Sequence, residues 1–141
     1  IKGKLEYDQL EMQRFIDRHG LDRFAFNPHF PVNTLLLMRG AIAARDGGQL
    51  EPYVEAGLAC MWEKGLKMDD PEVFTAAMSE AGLHGQALLA STADPTVKAK
   101  LAENTAAAVE RGSFGIPTFY VGDEMFFGKE RLQQIEEALQ A

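Results

Sequence analysis

The residues best placed to do chemistry in this chain are few. Gly128-Lys129-Glu130 sets a cation beside a carboxylate directly behind a glycine, at a point where a helix should begin. A helix start offers free N–H groups and positive potential, so a carboxylate can settle there. Lys129 adds charge for that anion, and Glu130 can accept from an ammonium. Glu130 can equally do no more than complement the helix dipole. Upstream, Ile116-Pro117 sits just before a β-forming run, and a proline there gives no N–H to a ladder. A cis bond at Pro117 would turn the chain sharply and leave the amide and carbonyl of Ile116 free to pair with an extended ligand. Only about 5–6% of X–Pro bonds are cis, so the residues alone favour trans. Asn33 suits a helix N-cap. Arg39 lies in an otherwise apolar helical stretch, where its guanidinium must find either an ion pair or an anionic ligand. Cys60 has no basic neighbour in Gly57-Leu-Ala-Cys-Met-Trp62 to activate it, so it reads as buried and inert. His19, His29 and His84 are scattered, without carboxylates at ligand spacing, and make no metal site.

These residues need elements to position them. The pattern Tyr7, Leu10, Met12, Phe15, Ile16 predicts a helix ending at His19-Gly20, after a short basic start at Lys2 and Lys4. Phe24-Ala-Phe26 predicts a strand or extended segment, stopped by Asn27-Pro28. Phe30-Pro-Val-Asn33 turns into an apolar helix over 34–44, which Arg45-Asp-Gly-Gly48 closes. A second helix is expected over 49–64, with Tyr53, Leu58 and Trp62 facing a core. Asp70-Pro71 and Asp94-Pro95 are paired helix starts, with aspartate as N-cap and proline in the first turn. They open helices near 71–81 and 95–111, with a shorter one over 84–92 between them. Gly112 and Gly115 stop the last of these. Thr118-Phe-Tyr-Val121, Gly122-Asp123 and Met125-Phe-Phe127 make a hairpin, and Leu132, Ile135 and Leu139 recur at helical spacing after it. The pattern alone is α/β or α+β, with residues 33–111 all-helical between an early strand and a late hairpin.

Composition narrows the function classes. The chain has 141 residues, 46% hydrophobic and 25% charged, the size and balance of one globular domain. A net charge of −7 argues against nucleic acid and anionic membrane surfaces as partners. No apolar run approaches the ~18 residues of a membrane span. A single cysteine excludes a two-cysteine redox motif within these residues and suggests a reducing compartment.

Two motifs carry a family resemblance. Phe114-Gly-Ile-Pro-Thr-Phe, a hairpin and Phe127-Gly-Lys-Glu-Arg-Leu132 resemble the end of a thioredoxin fold of the DsbA-like branch. With Phe30-Pro-Val-Asn-Thr-Leu35 and Met38-Arg39, the chain is most similar to the 2-hydroxychromene-2-carboxylate isomerases and the kappa-class glutathione transferases. The resemblance implies a thioredoxin-like fold built from 1–32 and 112–141, with 33–111 as a helical insertion. It also implies that the fold's opening strand, helix and next strand precede Ile1, together with a catalytic serine. Pro117 is then cis and beside the largest pocket. Ile116 and Pro117 hold the cysteinyl backbone of glutathione, and Gly128, Lys129 and Glu130 take its γ-glutamyl end. Asn33 and Arg39 border the aromatic substrate. Relatives usually carry a small polar residue and Asp where this chain has Lys129-Glu130, so the geometry of that end departs from the pattern. The implied protein is a cytoplasmic homodimer that isomerises an intermediate of aromatic catabolism. The other readings are a DsbA-like disulfide oxidoreductase and a non-catalytic thioredoxin-fold binding protein, which the residues preceding Ile1 discriminate.

Overall fold

A computed structural model describes residues 3–140; Lys2 of the basic start lies outside them. Among the described residues, seven α-helices and one hairpin follow in the order α1 (Lys4–His19), α2 (Leu35–Asp46), α3 (Leu50–Trp62), α4 (Pro71–Glu80), α5 (Gly85–Thr92), α6 (Pro95–Glu110), β1 (Thr118–Val121), β2 (Glu124–Phe127) and α7 (Leu132–Gln140). A 3-10 turn, Lys129–Arg131, precedes α7. The chain divides into two compact units, Ile1–Lys98 and Ala99–Ala141.

In the first unit, α1 starts at Lys4, three residues before the expected Tyr7, and a Lys4–Asp8 ion pair at 2.9 Å spans its opening turn. Gly20 closes it in the left-handed region with φ of 60°. The Asp-Pro start predicted at Asp70 is present: its Oδ1 accepts from the amides of Glu72 and Val73. Asp94 likewise accepts from the Thr96 amide at 2.7 Å. Each cap satisfies donors that the first helical turn leaves unpaired. Among the described residues no strand interrupts 34–111, as the pattern predicted.

The core of this unit gathers Phe74, Met68 and Met78, all fully buried, with Tyr53, Cys60, Leu37 and Leu88 around them. Each buried side chain of this size contributes about 1.5–3 kcal/mol of transfer free energy. The Tyr53 hydroxyl donates to the Leu37 carbonyl at 2.8 Å, tying α3 to α2, and burial raises its pKa. Of the expected core residues on α3, Tyr53 is buried and Trp62 half-buried, but Leu58 points outward.

Of the two readings of Phe24–Phe26, the extended segment holds and the early strand does not. The segment is extended but forms no ladder. The Ala25 amide donates instead to the Trp62 carbonyl at the end of α3, 2.7 Å away. Among the described residues there is no neighbouring strand for it to pair with. Asn27, next in line, is a buried polar residue. Its amide donates to the Met61 and Leu66 carbonyls at 3.0 and 2.9 Å, and its Oδ1 accepts from the His29 amide at 2.8 Å.

In the second unit, Gly112 ends α6 at φ of 97°, and the Ser113 amide reaches back to the Ala108 carbonyl at 3.0 Å. The hairpin pairs Thr118 with Phe127 and Val121 with Glu124 across Gly122-Asp123. The Tyr120 hydroxyl lies 2.8 Å from Ser113 Oγ and donates to the Arg111 carbonyl at 3.1 Å. The Arg111 guanidinium covers the Tyr120 ring at 3.7 Å. These contacts fix the hairpin against the end of α6 and so set where the Ile116–Pro117 corner stands.

Candidate functional site

The corner and the turn before α7 come together through the hairpin. The Ile116–Pro117 bond is cis. The Pro117 carbonyl accepts from the Gly128 amide at 3.0 Å, which places Gly128 directly beside the proline. Thr118 Oγ1 donates to the Gly115 carbonyl at 2.6 Å and braces the corner from within. A Cβ on Gly115 would stand 2.8 Å from the Phe127 ring, so the corner closes only without a side chain there. Ile116 is 93% exposed, and among the described residues its amide and carbonyl have no hydrogen-bond partner. Ile116, Pro117, Gly128, Lys129 and Glu130 are thereby one local constellation.

The electrostatics of that constellation differ from the expectation in one respect. Lys129 Nζ bonds Glu130 Oε1 at 2.7 Å, so the two charges meet each other first. This hydrogen bond, with the backbone amide of Glu130, holds the Glu130 carboxyl below its ordinary value. The expected α-helical start at Gly128 is the 3-10 turn, and α7 itself begins at Leu132. Gly128 has φ of 100°, where a side chain is strained, and a Cβ would meet Glu130 Oε2 at 2.8 Å.

Asn33 and Arg39 belong to the first unit. Asn33 Oδ1 accepts from the Leu35 amide at 3.0 Å, so it caps the chain entering α2 although Thr34 precedes the helix. Its own amide donates to Asp69 Oδ2 at 3.1 Å. That bond is the main cause holding the Asp69 carboxyl below its ordinary value, and Lys67 acts in the same direction. A carboxyl with a depressed folded pKa supports the fold above its ordinary value near pH 4 and loses that support as pH falls through the folded one. The Asn33 amide resonance should therefore titrate below about pH 4, and Asp69→Asn should abolish the titration. A flat profile in the native chain would remove the Asp69 contact.

Of the two readings of Arg39, the ion pair is not seen. Among the described residues Arg39 makes no ion pair, and its buried Nε has no hydrogen-bond partner. Cys60 is 2% exposed, and burial pushes its thiol pKa up, as an inert core cysteine requires. His84 precedes α5 without a side-chain cap bond. Among the described residues no three metal-ligating side chains converge, and no helix is long and apolar enough to cross a membrane.

One cleft lies away from the corner. A cleft of about 1130 Å³ is walled by α1, the 20–30 segment and α3, and neither Ile116 nor Pro117 lines it. Two features were not foreseen in the sequence: this cleft, and a second cis bond at Phe30–Pro31. The aromatic spacing at Phe24, Phe26, Phe30 and Trp62 is the signal that could have revealed the first.

Comparison with known proteins places this geometry. The DSBA-like thioredoxin domain matches residues 1–140. The chain belongs to that family. The 2-hydroxychromene-2-carboxylate isomerase of Pseudomonas putida is 27% identical over 141 residues, covering 99% of this chain and 67% of the relative. That of Pseudomonas sp. strain C18 is 28% identical, covering 96% and 63%. Human glutathione S-transferase kappa 1 is 33% identical over 86 residues, 56% of this chain and 38% of that protein. A solved 2-hydroxychromene-2-carboxylate isomerase structure superposes with a TM-score of 0.85 at 27% identity, again over 99% of this chain and 67% of that one. The chain thus spans about two thirds of the length of the isomerases it matches. Its fold is the DsbA-like thioredoxin fold, mostly helical with a small two-stranded sheet, and the expected resemblance to these isomerases and kappa-class transferases holds.

Proposed function

We propose that this chain is part of a glutathione-dependent isomerase of the 2-hydroxychromene-2-carboxylate type, working in aromatic catabolism as a cytoplasmic homodimer. The observation that carries this reading is the joined corner: Pro117 and Gly128 are hydrogen-bonded neighbours, beside an Ile116 backbone left unpaired. Similarity to two Pseudomonas isomerases, over nearly all of this chain and about two thirds of theirs, supports it. Glutathione supplies a nucleophilic thiol when bound. The chain's own residues hold and orient the tripeptide. The Ile116 amide donates to, and its carbonyl accepts from, the central residue, as one strand pairs with another. Lys129 faces the γ-glutamyl carboxylate and Glu130 the ammonium, once their mutual bond opens. Gly128 keeps that end close to Pro117, because no side chain intervenes. Asn33 and Arg39 contact the substrate, the unpaired guanidinium suiting an anionic group. Residues 33–111 are the helical insertion of this fold, between thioredoxin-like portions 1–32 and 112–141.

Titrating glutathione into the protein by calorimetry tests this. Binding should be measurable, and Glu130→Ala should weaken it only about two- to fivefold, because an exposed ion pair is worth little and Lys129 already competes for the carboxylate. Equal affinities would reduce Glu130 to a partner of Lys129. Absence of binding to the unaltered protein would remove glutathione and leave the disulfide-exchange reading in its place.

A further inference from the structure

The cleft walled by α1 and α3 has a chemistry that the glutathione reading leaves unused. Four aromatic rings meet in it. Phe24 stacks on Trp62 with centroids 6.0 Å apart and planes 13° from parallel. Phe26 meets Trp62 edge-on at 6.3 Å, and Phe30 tilts against it at 5.6 Å. These rings are accessible rather than sealed: Phe26 is 55% and Phe30 53% exposed, with Leu58 beside them at 57%. Apolar rings gathered around an open volume of about 1130 Å³ are the material of a small-molecule site.

The rim decides the sign of the ligand. Asp22, Glu55 and Glu63 line the cleft with Arg23. Arg23 already pairs with Glu63 at 3.4 Å. Among the described residues, Asp22 and Glu55 have no ion-pair partner. Two unpaired carboxylates therefore stand at the edge of an aromatic enclosure. Ring faces carry negative potential, so carboxylates and rings attract the same kind of ligand. An anion would meet repulsion from both.

We propose that this cleft binds organic cations, an aromatic or alkyl ammonium whose apolar body lies against Trp62, Phe26 and Phe30 while its charge faces Asp22 and Glu55. None of the residues assigned to glutathione or to the isomerase substrate lines it, so the two readings stand or fall separately.

Trp62 is the sole tryptophan of the chain, which makes its fluorescence a direct reporter of this site. Benzyltrimethylammonium, its neutral isostere neopentylbenzene and the anion phenylacetate would each be titrated into the protein. The cation should shift Trp62 emission saturably and bind about two- to fivefold more tightly than the neutral isostere, the range of a partly exposed cation–π contact. That preference should shrink with added salt. Glu55→Gln and Asp22→Asn, both changes at exposed positions, should each lower cation affinity and leave the neutral isostere unchanged. Equal binding of cation and neutral isostere would overturn the charge assignment. So would tighter binding of phenylacetate. A Trp62 signal that followed protein concentration rather than ligand would assign the face to self-association, and no saturable signal would remove the site.

Discussion

Replacing Asn27 with alanine should cost about 3 kcal/mol of stability in the helical unit, more than its small volume suggests. One side chain at 1% exposure serves three backbone groups: the carbonyls of Met61 and Leu66 and the amide of His29. Those groups belong to the end of α3, the turn after it and the segment before α2. Alanine leaves the Met61 carbonyl and the His29 amide without their protein partner, while the Leu66 carbonyl keeps the Met68 amide at 3.0 Å. Each unsatisfied buried group costs roughly 1–3 kcal/mol. Some of that is recovered where water can reach the partly exposed turn. Aspartate should be no better. It keeps the acceptor for His29 but has no donor for the two carbonyls, and it places a charge among them. Urea unfolding followed by far-UV circular dichroism measures the difference. A loss below about 1 kcal/mol in Asn27→Ala would mean that the three segments hold their places independently.

The second large effect lies at Gly85, where the same substitution made at two glycines should have opposite signs. A Cβ on Gly85 would fall 2.2 Å from the Thr75 carbonyl oxygen and 2.5 Å from Ser79 Oγ. Ser79 can rotate, but the Thr75 oxygen is helix backbone, so α4 and α5 must separate. That separation would loosen Phe74, Met78 and Leu88, the core between them. Gly85→Ala should destabilise by about 2–3 kcal/mol, the upper range of overpacking. At Gly57, inside α3, an added Cβ would meet nothing within 4 Å. Gly57→Ala should stabilise by up to about 1 kcal/mol, through helix propensity alone. Thermal unfolding of the two variants side by side is the check. Equal behaviour would show that α4 and α5 do not depend on their close approach.

The features legible in the sequence were those with a local cause. Asp70 and Asp94 cap their helices because the Asp-Pro pair needs nothing from the rest of the fold. Gly112 and Gly122 adopt positive φ for the same reason, and the hairpin register follows from the turn between two short β-forming runs. What failed depended on distant partners. Phe24–Phe26 has strand composition, but a strand exists only through its neighbour, and here the Ala25 amide meets the Trp62 carbonyl instead. Asn27 read as a mere stop signal because its partners lie 34 and 39 residues away. At the candidate site, the corner and the turn beside Gly128 were legible as two motifs. Their joining bond, Gly128 to Pro117, was not. Nor was the pairing of Lys129 with Glu130, since adjacent residues on a helix do not face each other and these two meet only through their long, exposed side chains.

The buried position of Cys60 gives the molecule a built-in clock. It is the sole thiol, 2% exposed and disfavoured as a thiolate by burial. A thiol reagent can reach it only when α3 lifts from its neighbours. The labelling rate in excess reagent therefore counts openings of the helical core, not collisions at its surface. At low reagent concentration the rate instead reads the equilibrium between closed and open forms. The same atom that carries no chemistry of its own thus records how often, and at what free energy, the core around it breathes.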